Sequence, residues 1–248
     1  MMWEMALVRG LLLVTSIALA CVAVAGAGGS DGLDPTFGSG GIVVTDLGRD
    51  DWITDVAVQP DGKIVAAGWT MPTPAQDAFA LVRYLPDGRL DPAFGDGGKV
   101  VHEDRLVSGL AVQRNGRIVV AGVGPGRSGQ DVFVARYRPD GAPDRTFGGD
   151  GTVTTDFGPR RGELDWGNDV VVQRDGKIVV GGQSARPQDG RAFVLARYLR
   201  NGRLDRTFGS RGKVVTTFGR DSFALRLALQ PNGKIVAVGG VKIGRAHV

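Results

Sequence analysis

From residue 33 onward, apolar and polar side chains alternate in short runs separated by glycine-rich turns, and no stretch carries a helical period. Asp55-Val56-Ala57-Val58-Gln59 alternates with period two. Asp61-Gly62 follows, a pair suited to the positive φ of a hairpin turn. Lys63-Ile64-Val65-Ala66-Ala67-Gly68 is the return strand. A loop of variable composition leads to a third strand, Phe79-Ala80-Leu81-Val82-Arg83-Tyr84. A turn at Pro86-Asp87-Gly88 and a Phe-Gly loop lead to a fourth, Gly98-Lys99-Val100-Val101.

This pattern returns along the chain. Gln59-Pro60-Asp61-Gly62-Lys63-Ile64-Val65 recurs from Gln113, Gln173 and Gln230, at intervals of 54, 60 and 57 residues. Arg-Tyr recurs as Arg83-Tyr84, Arg136-Tyr137 and Arg197-Tyr198. Asp-x-x-Phe-Gly recurs from Asp34, Asp91, Asp144 and Asp205. Four short antiparallel strands per repeat predict an all-β chain, a β-propeller built of four-stranded blades. Blades stack face to face, so the inner strands bury both faces. The narrow axial side explains Ala57, Ala111 and Ala228, with Val171 as the exception. The repeated Phe37, Phe94, Phe147 and Phe208 are expected as plugs between blades.

The succession Gln-Pro-Asp-Gly-Lys-Ile-Val, Phe-x-x-x-Arg-Tyr and Asp-Gly-x-Leu-Asp-x-x-Phe-Gly resembles the delta-60 repeat family of bacterial β-propeller-like proteins. The resemblance covers roughly residues 31–240. The second unit departs from it, with Val132 at the phenylalanine position and Phe133 one step later, and with Ala142-Pro143 in place of Arg-Leu. The resemblance implies a fold and an exported or surface role, and supplies no catalytic residue.

The repeats are expected at about 33–89, 90–142, 143–203 and 204–242, which makes three blades and half of another. The fourth unit stops before its Phe…Arg-Tyr strand, and Gly41 to Asp46 is an outermost strand with no blade before it. The tail 243–248 breaks the pattern and matches what a common sequencing adapter would encode, so it is read as non-native and the chain as a fragment.

Residues 1–32 are of another kind. Arg9 precedes a charge-free apolar run from Leu11 to Val24, and small residues follow. This is the order of a secretory signal peptide, and the run is shorter than a membrane span. Residues 1–25 are read as the signal, cut near Ala25 or Ala27, and 26–32 as a short linker. The protein is then secreted or held in the cell envelope, with no transmembrane span in the mature chain. Lipid attachment at Cys21 is the minor alternative.

Composition narrows the chemistry. Glycine fills 40 of 248 positions, without the triplet period of collagen. A single cysteine excludes an internal disulfide, and two histidines exclude a conventional zinc site. The net charge of +4 is spread through the repeats, and the one basic cluster, Pro159-Arg160-Arg161, is short. Nucleic acid is not expected as a partner. His102 on an outer strand and His247 in the tail suit no catalytic triad. Gly122-Val123-Gly124-Pro125-Gly126 is read as a loop between strands; Pro125 and the lack of a following helix exclude a phosphate cradle. The Asp-Gly pairs at Asp87, Asp96, Asp140 and Asp150 are read as turn-closing residues in preference to structural calcium ligands. No cofactor is expected.

The remaining candidates sit where the first strand of a unit begins. Trp52 and Trp166 precede it in the first and third units, where Leu106 and Phe223 stand in the others. With Asp55, Asn168, Asp169 and Arg226 they are expected to line one mouth of the channel. The function expected is a non-enzymatic scaffold binding an extracellular protein or glycan. The alternatives are a propeller hydrolase or lactonase with a metal at the channel, and a structural envelope protein without a ligand.

Overall fold

The computed structural model describes residues 19–22, 32–48, 50–73, 76–126, 129–158, 164–186, 190–218 and 221–242. Most of the expected signal and linker, the Pro159-Arg160-Arg161 cluster and the tail 243–248 lie outside them. All named elements are strands. β1 (Leu19–Val22) and β2 (Ile42–Thr45) come first. The first blade is β3 (Asp51–Val58), β4 (Ile64–Thr73), β5 (Gln76–Tyr84) and β6 (Lys99–Glu103). The second is β7 (Leu106–Val112), β8 (Ile118–Pro125), β9 (Gln130–Tyr137) and β10 (Thr152–Thr155). The third is β11 (Leu164–Val172), β12 (Ile178–Arg186), β13 (Gly190–Tyr198) and β14 (Lys213–Thr216). β15 (Asp221–Leu229) and β16 (Ile235–Lys242) are the inner pair of a fourth. Within each blade, strands pair antiparallel in chain order. This is an incomplete β-propeller of four-stranded blades.

Two boundaries differ from the sequence reading. The second strands run on past the expected Gly68, to Thr73 in the first blade, and Gly122 to Pro125 belong to β8 instead of forming a loop. The first strands also begin earlier, so Trp52 and Trp166 lie within them. The ladder continues through Trp52 opposite Trp69 and Asp51 opposite Thr70 in the first blade, and through Leu106 opposite Val123 in the second.

The hairpin turns follow the sequence reading. Gly62, Gly116, Gly176 and Gly233 have φ of 82°, 78°, 81° and 82°. Each donates its N–H to the glutamine carbonyl that opens the turn.

Every first strand carries a β-bulge at the same place, between Ile53 and Asp55, Val107 and Gly109, Gly167 and Asp169, and Ala224 and Arg226. The bulge explains an invariant glycine on the second strand. A Cβ on Gly68, Gly122, Gly182 or Gly239 would lie 1.8–1.9 Å from the carbonyl oxygen of Trp52, Leu106, Trp166 or Phe223.

The core lies between blades. Phe79, Leu81, Phe94 and Tyr137 join the first blade to the second. Phe147, Val170, Val180 and Tyr198 join the second to the third. Phe37, Phe94 and Phe147 are buried plugs as expected, whereas Phe208 is only partly covered. Ala57 and Ala111 pack into these cores. Val56 and Val58 point away from the second blade and are 52% and 68% exposed. The displaced Phe133 follows the period of a strand: one step moves it to the other face, where it meets Phe79 at 5.9 Å.

β2 sits against the first blade as β10 sits against the third. Thr45 Oγ1 and the Tyr84 hydroxyl are 2.8 Å apart, and the Tyr198 hydroxyl donates to Thr155 Oγ1 at 2.7 Å. The residue equivalent to Thr45 and Thr155 in β6 is His102, which lies 5.9 Å from the Tyr137 ring. β1 pairs antiparallel with β2, Leu19 opposite Thr45 and Val22 opposite Ile42. That is the register of a third strand on a fourth: Phe79 stands opposite His102 and Phe193 opposite Thr216.

Candidate functional site

The first strands bring the sequence candidates to one end of the blades, and the bulges aim them. Trp52 pairs across the ladder with Trp69, and the two rings stack at 4.0 Å with 15° between planes. Trp52 remains 36% exposed. Trp166 is partly buried and donates its indole N–H to Ser108 Oγ of the preceding blade at 3.0 Å.

The polar candidates are fixed to neighbouring blades. Asp55 Oδ2 accepts from Leu110 N–H at 2.8 Å. Asp169 Oδ2 accepts from Leu227 N–H at 2.6 Å, and its Oδ1 from Val170 N–H at 2.8 Å. Asn168 Nδ2 donates to Ala224 O at 2.6 Å. Thr54, at the bulge of the first blade, donates to Val107 O at 3.1 Å. In the first and third blades the aspartate after the bulge is thus a latch onto the next blade. In the second blade that residue is Gly109, where a Cβ would come within 2.7 Å of Asp169 Cα, so a close backbone approach replaces the carboxylate. Burial pushes the Asp169 carboxyl above its ordinary range, against the pull of the Leu227 and Val170 N–H groups. Arg226 holds the equivalent place in the half blade and is exposed.

A second repeated arrangement was not foreseen as a unit. Arg83, Arg136 and Arg197 each bond through Nε to Asp91, Asp144 and Asp205, at 2.8, 2.7 and 2.9 Å. Lys63, Arg117 and Lys177, each just before a second strand, reach the same oxygens at 3.1, 2.8 and 3.2 Å. The guanidiniums lie 4.5–4.9 Å from the ring centres of Phe94, Phe147 and Phe208. Arg83 and Arg136 also donate to carbonyls of the following blade, Pro139 O and Arg200 O. Arg-Tyr and Asp-x-x-Phe-Gly therefore form one clamp between blades. Its signal in the sequence was the constant spacing of Arg and Asp, eight residues apart in all three pairs.

The turn aspartates act as read. Asp87, Asp140 and Asp150 accept N–H bonds from Arg89, Ala142 and Thr152. Among the described residues, one group of acids comes together, Asp131, Asp156 and Asp165, with oxygens within 4.8 Å of one another. Burial raises the Asp165 carboxyl above its ordinary range; Phe157 N–H and the Ser184 hydroxyl oppose that, and the neighbouring acids add to it. Asp165 gives one oxygen to Phe157 N–H at 2.6 Å. His102 is half-buried and stacks on Phe79 at 5.2 Å; burial, then Arg105, lowers its pKa. Among the described residues no helix is long and apolar enough to cross a membrane.

Bulged first strands, blade-to-blade latches and a repeated Arg–Asp–Phe clamp define a repeat β-propeller. Three segments, 59–94, 113–147 and 173–208, match the family described as a domain of unknown function (DUF5122) beta-propeller. Each runs from the turn glutamine to the Phe-Gly loop, and so covers the clamp. No curated protein matches the sequence. Among solved structures, a hypothetical protein from Leishmania major is 13% identical, over 80% of this chain and 67% of that one, with a TM-score of 0.43. A mannose phosphorylase from Leishmania mexicana, MPT-4, solved with phosphate ion, is 12% identical, over 77% and 80%, with a TM-score of 0.31. Both likenesses are too loose to bear on function.

Proposed function

We propose that this chain is a non-enzymatic, exported propeller scaffold that holds a glycan or protein at the end of the blades where the first strands begin. The stacked Trp52–Trp69 pair carries this reading. An exposed indole held flat by a second one is a rigid apolar platform, suited to the face of a sugar ring or to an apolar anchor of a partner. Holding it in the stack lowers the ordering cost of binding. The bonds made by Asp55, Asn168 and Asp169 support binding over catalysis. A channel metal would draw on the Asp55 and Asp169 carboxylates, and each of these gives one oxygen to an N–H of the neighbouring blade, while Asn168 is held by its Nδ2 bond to Ala224 O. Export rests on the apolar run and small residues of the first 25 positions.

A glycan array and a pull-down from envelope extract, each run with native protein and Trp52→Ala, test the proposal. Binding that disappears in the variant supports it. Ligands retained by Trp52→Ala, or ester or lactone turnover with stoichiometric bound calcium, would overturn it.

A further inference from the structure

At the opposite end of the first strands, a cleft of about 620 Å³ opens between the second and third blades. Five arginines line it: Arg114, Arg117, Arg136, Arg174 and Arg200. One carboxylate, Asp144, pairs with Arg117 and Arg136. Arg200 gives its Nε to the Asp175 carbonyl at 2.6 Å, which leaves its charge uncancelled. Arg114 and Arg174 are exposed and make no ion pair among the described residues.

The excess is local. The matching cleft between the first and second blades has Lys63, Arg83 and Arg114 facing Asp61 and Asp140. The difference arises where the repeats depart from their own pattern. The turn glutamine is followed by Pro60 and Pro231 in the outer units, but by Arg114 and Arg174 in the two middle ones. Arg200 stands where the other third strands lead to Pro86 and Pro139. Proline is the better turn residue at such places, so the turns give no reason for Arg114 and Arg174, whereas Arg200 also bonds the Asp175 carbonyl.

We infer that this cleft is a binding site for an acidic oligosaccharide. Guanidinium groups suit carboxylate oxygens because they donate two parallel hydrogen bonds. The cleft is much larger than a single small anion and lies within the range of ligand sites. Its remaining polar side chains are the amides of Gln113, Asn115, Gln173 and Asn201 and the Thr146 hydroxyl. Gln173 donates through Nε2 to Gly233 O, as Gln59 does to Gly116 O in the other cleft. A peptide partner would need an apolar anchor pocket, and Val112 and Val172 are the only apolar side chains in the lining. The site is distinct from the Trp52 platform and does not depend on it.

The test is titration of the full chain with a fluorescent oligogalacturonate at low salt, with a neutral maltooligosaccharide and inorganic phosphate as competitors. Native protein is expected to bind, and Arg114→Ala/Arg174→Ala to bind about tenfold or more weakly, through loss of two charge-assisted contacts. These side chains are exposed and make no ion pair among the described residues, so melting should be nearly unchanged. Arg89→Ala/Arg191→Ala removes the same charge elsewhere and should bind as native does, as should Trp52→Ala. Absence of binding to the native chain would overturn the inference. So would an equal loss in the two double variants, or competition by phosphate or the neutral sugar as strong as by unlabelled oligogalacturonate. Loss in Trp52→Ala alone would place the ligand at the other end, leaving the proposed function and removing this site.

Discussion

Asp144→Ala should be among the most damaging single changes in the fold. Asp144 is 2% exposed. It receives Arg136 Nε at 2.7 Å and forms an ion pair with Arg117 at 2.8 Å, and its other oxygen receives the Thr146 N–H and hydroxyl at 3.1 and 2.7 Å. Alanine leaves the Arg136 guanidinium, in a residue only 5% exposed, held over Phe147 without its counter-charge. Breaking one side of a buried pair costs about 3–5 kcal/mol, a large part of the roughly 5–15 kcal/mol a domain has. Urea unfolding followed by tryptophan fluorescence measures it as a lower midpoint at constant slope. Arg136→Met/Asp144→Leu removes both charges and should recover part of the loss, because the penalty belongs to the unpaired ion. pH gives a second check. Burial works against the Asp144 carboxylate, but Thr146 and the two arginines overcome it and hold its pKa below the ordinary value. The folded pKa is depressed, so this stability is present above the unfolded value, about 3.9, and is lost as pH falls through the folded value. Native and Asp144→Ala stabilities should converge only in strong acid. A loss below about 1 kcal/mol, the range of exposed pairs, or a double variant as weak as the single one, would refute the clamp argument.

Thr155→Val leaves the buried Tyr198 hydroxyl without its acceptor and should cost about 1–3 kcal/mol by the same unfolding assay. Gly176→Val forces a β-branched residue to φ of 81° and should cost about 1–2 kcal/mol; an unchanged melting temperature would mean the turn is not of this type. Arg211 occupies φ of 54° where the equivalent Gly40 and Gly97 have 62° and 56°, so Arg211→Gly should raise stability by about 1 kcal/mol or less, measured by thermal melting. Intact mass of exported material should give a chain beginning near residue 26; retention of Met1, or a diacylglyceryl adduct on Cys21, would count against plain secretion.

Strand order within a blade and the turns were legible because the chain repeats itself, and each repeat fixes the same periodicity and the same glycine. The bulge was not legible. It shows only as glycine on the facing strand, and a glycine there reads equally as an ordinary strand ending. The latches were hidden for a related reason. Asp55 and Asp169 look like mouth-lining acids when each strand is read alone, and become inter-blade acceptors once the next blade's Leu110 and Leu227 are in place. Trp52 and Trp166 share a sequence position yet separate in role. Trp69 stacks on the first, whereas Gln183 stands opposite the second, which turns to Ser108 instead.

The pairing of β1 shows what periodicity alone can and cannot specify. Leu19-Ala20-Cys21-Val22 has the same large–small order as Phe79-Ala80-Leu81-Val82, so it fits the β2 edge in the register of a third strand. Such an order serves an export core equally well, because both uses ask only for apolar residues that tolerate an extended backbone. A blade strand is set apart by the two residues after its apolar run. Arg83 and Tyr84 tie β5 to Asp91 and to Thr45, across to the neighbouring blade. The corresponding residues after Val22 are Ala23 and Val24, with no charge and no hydroxyl. β1 thus continues the ladder of β2 from a stretch whose sequence carries no Arg-Tyr pair. The Arg-Tyr pair, more than the alternation before it, is what makes a run of apolar residues a structural strand of this propeller.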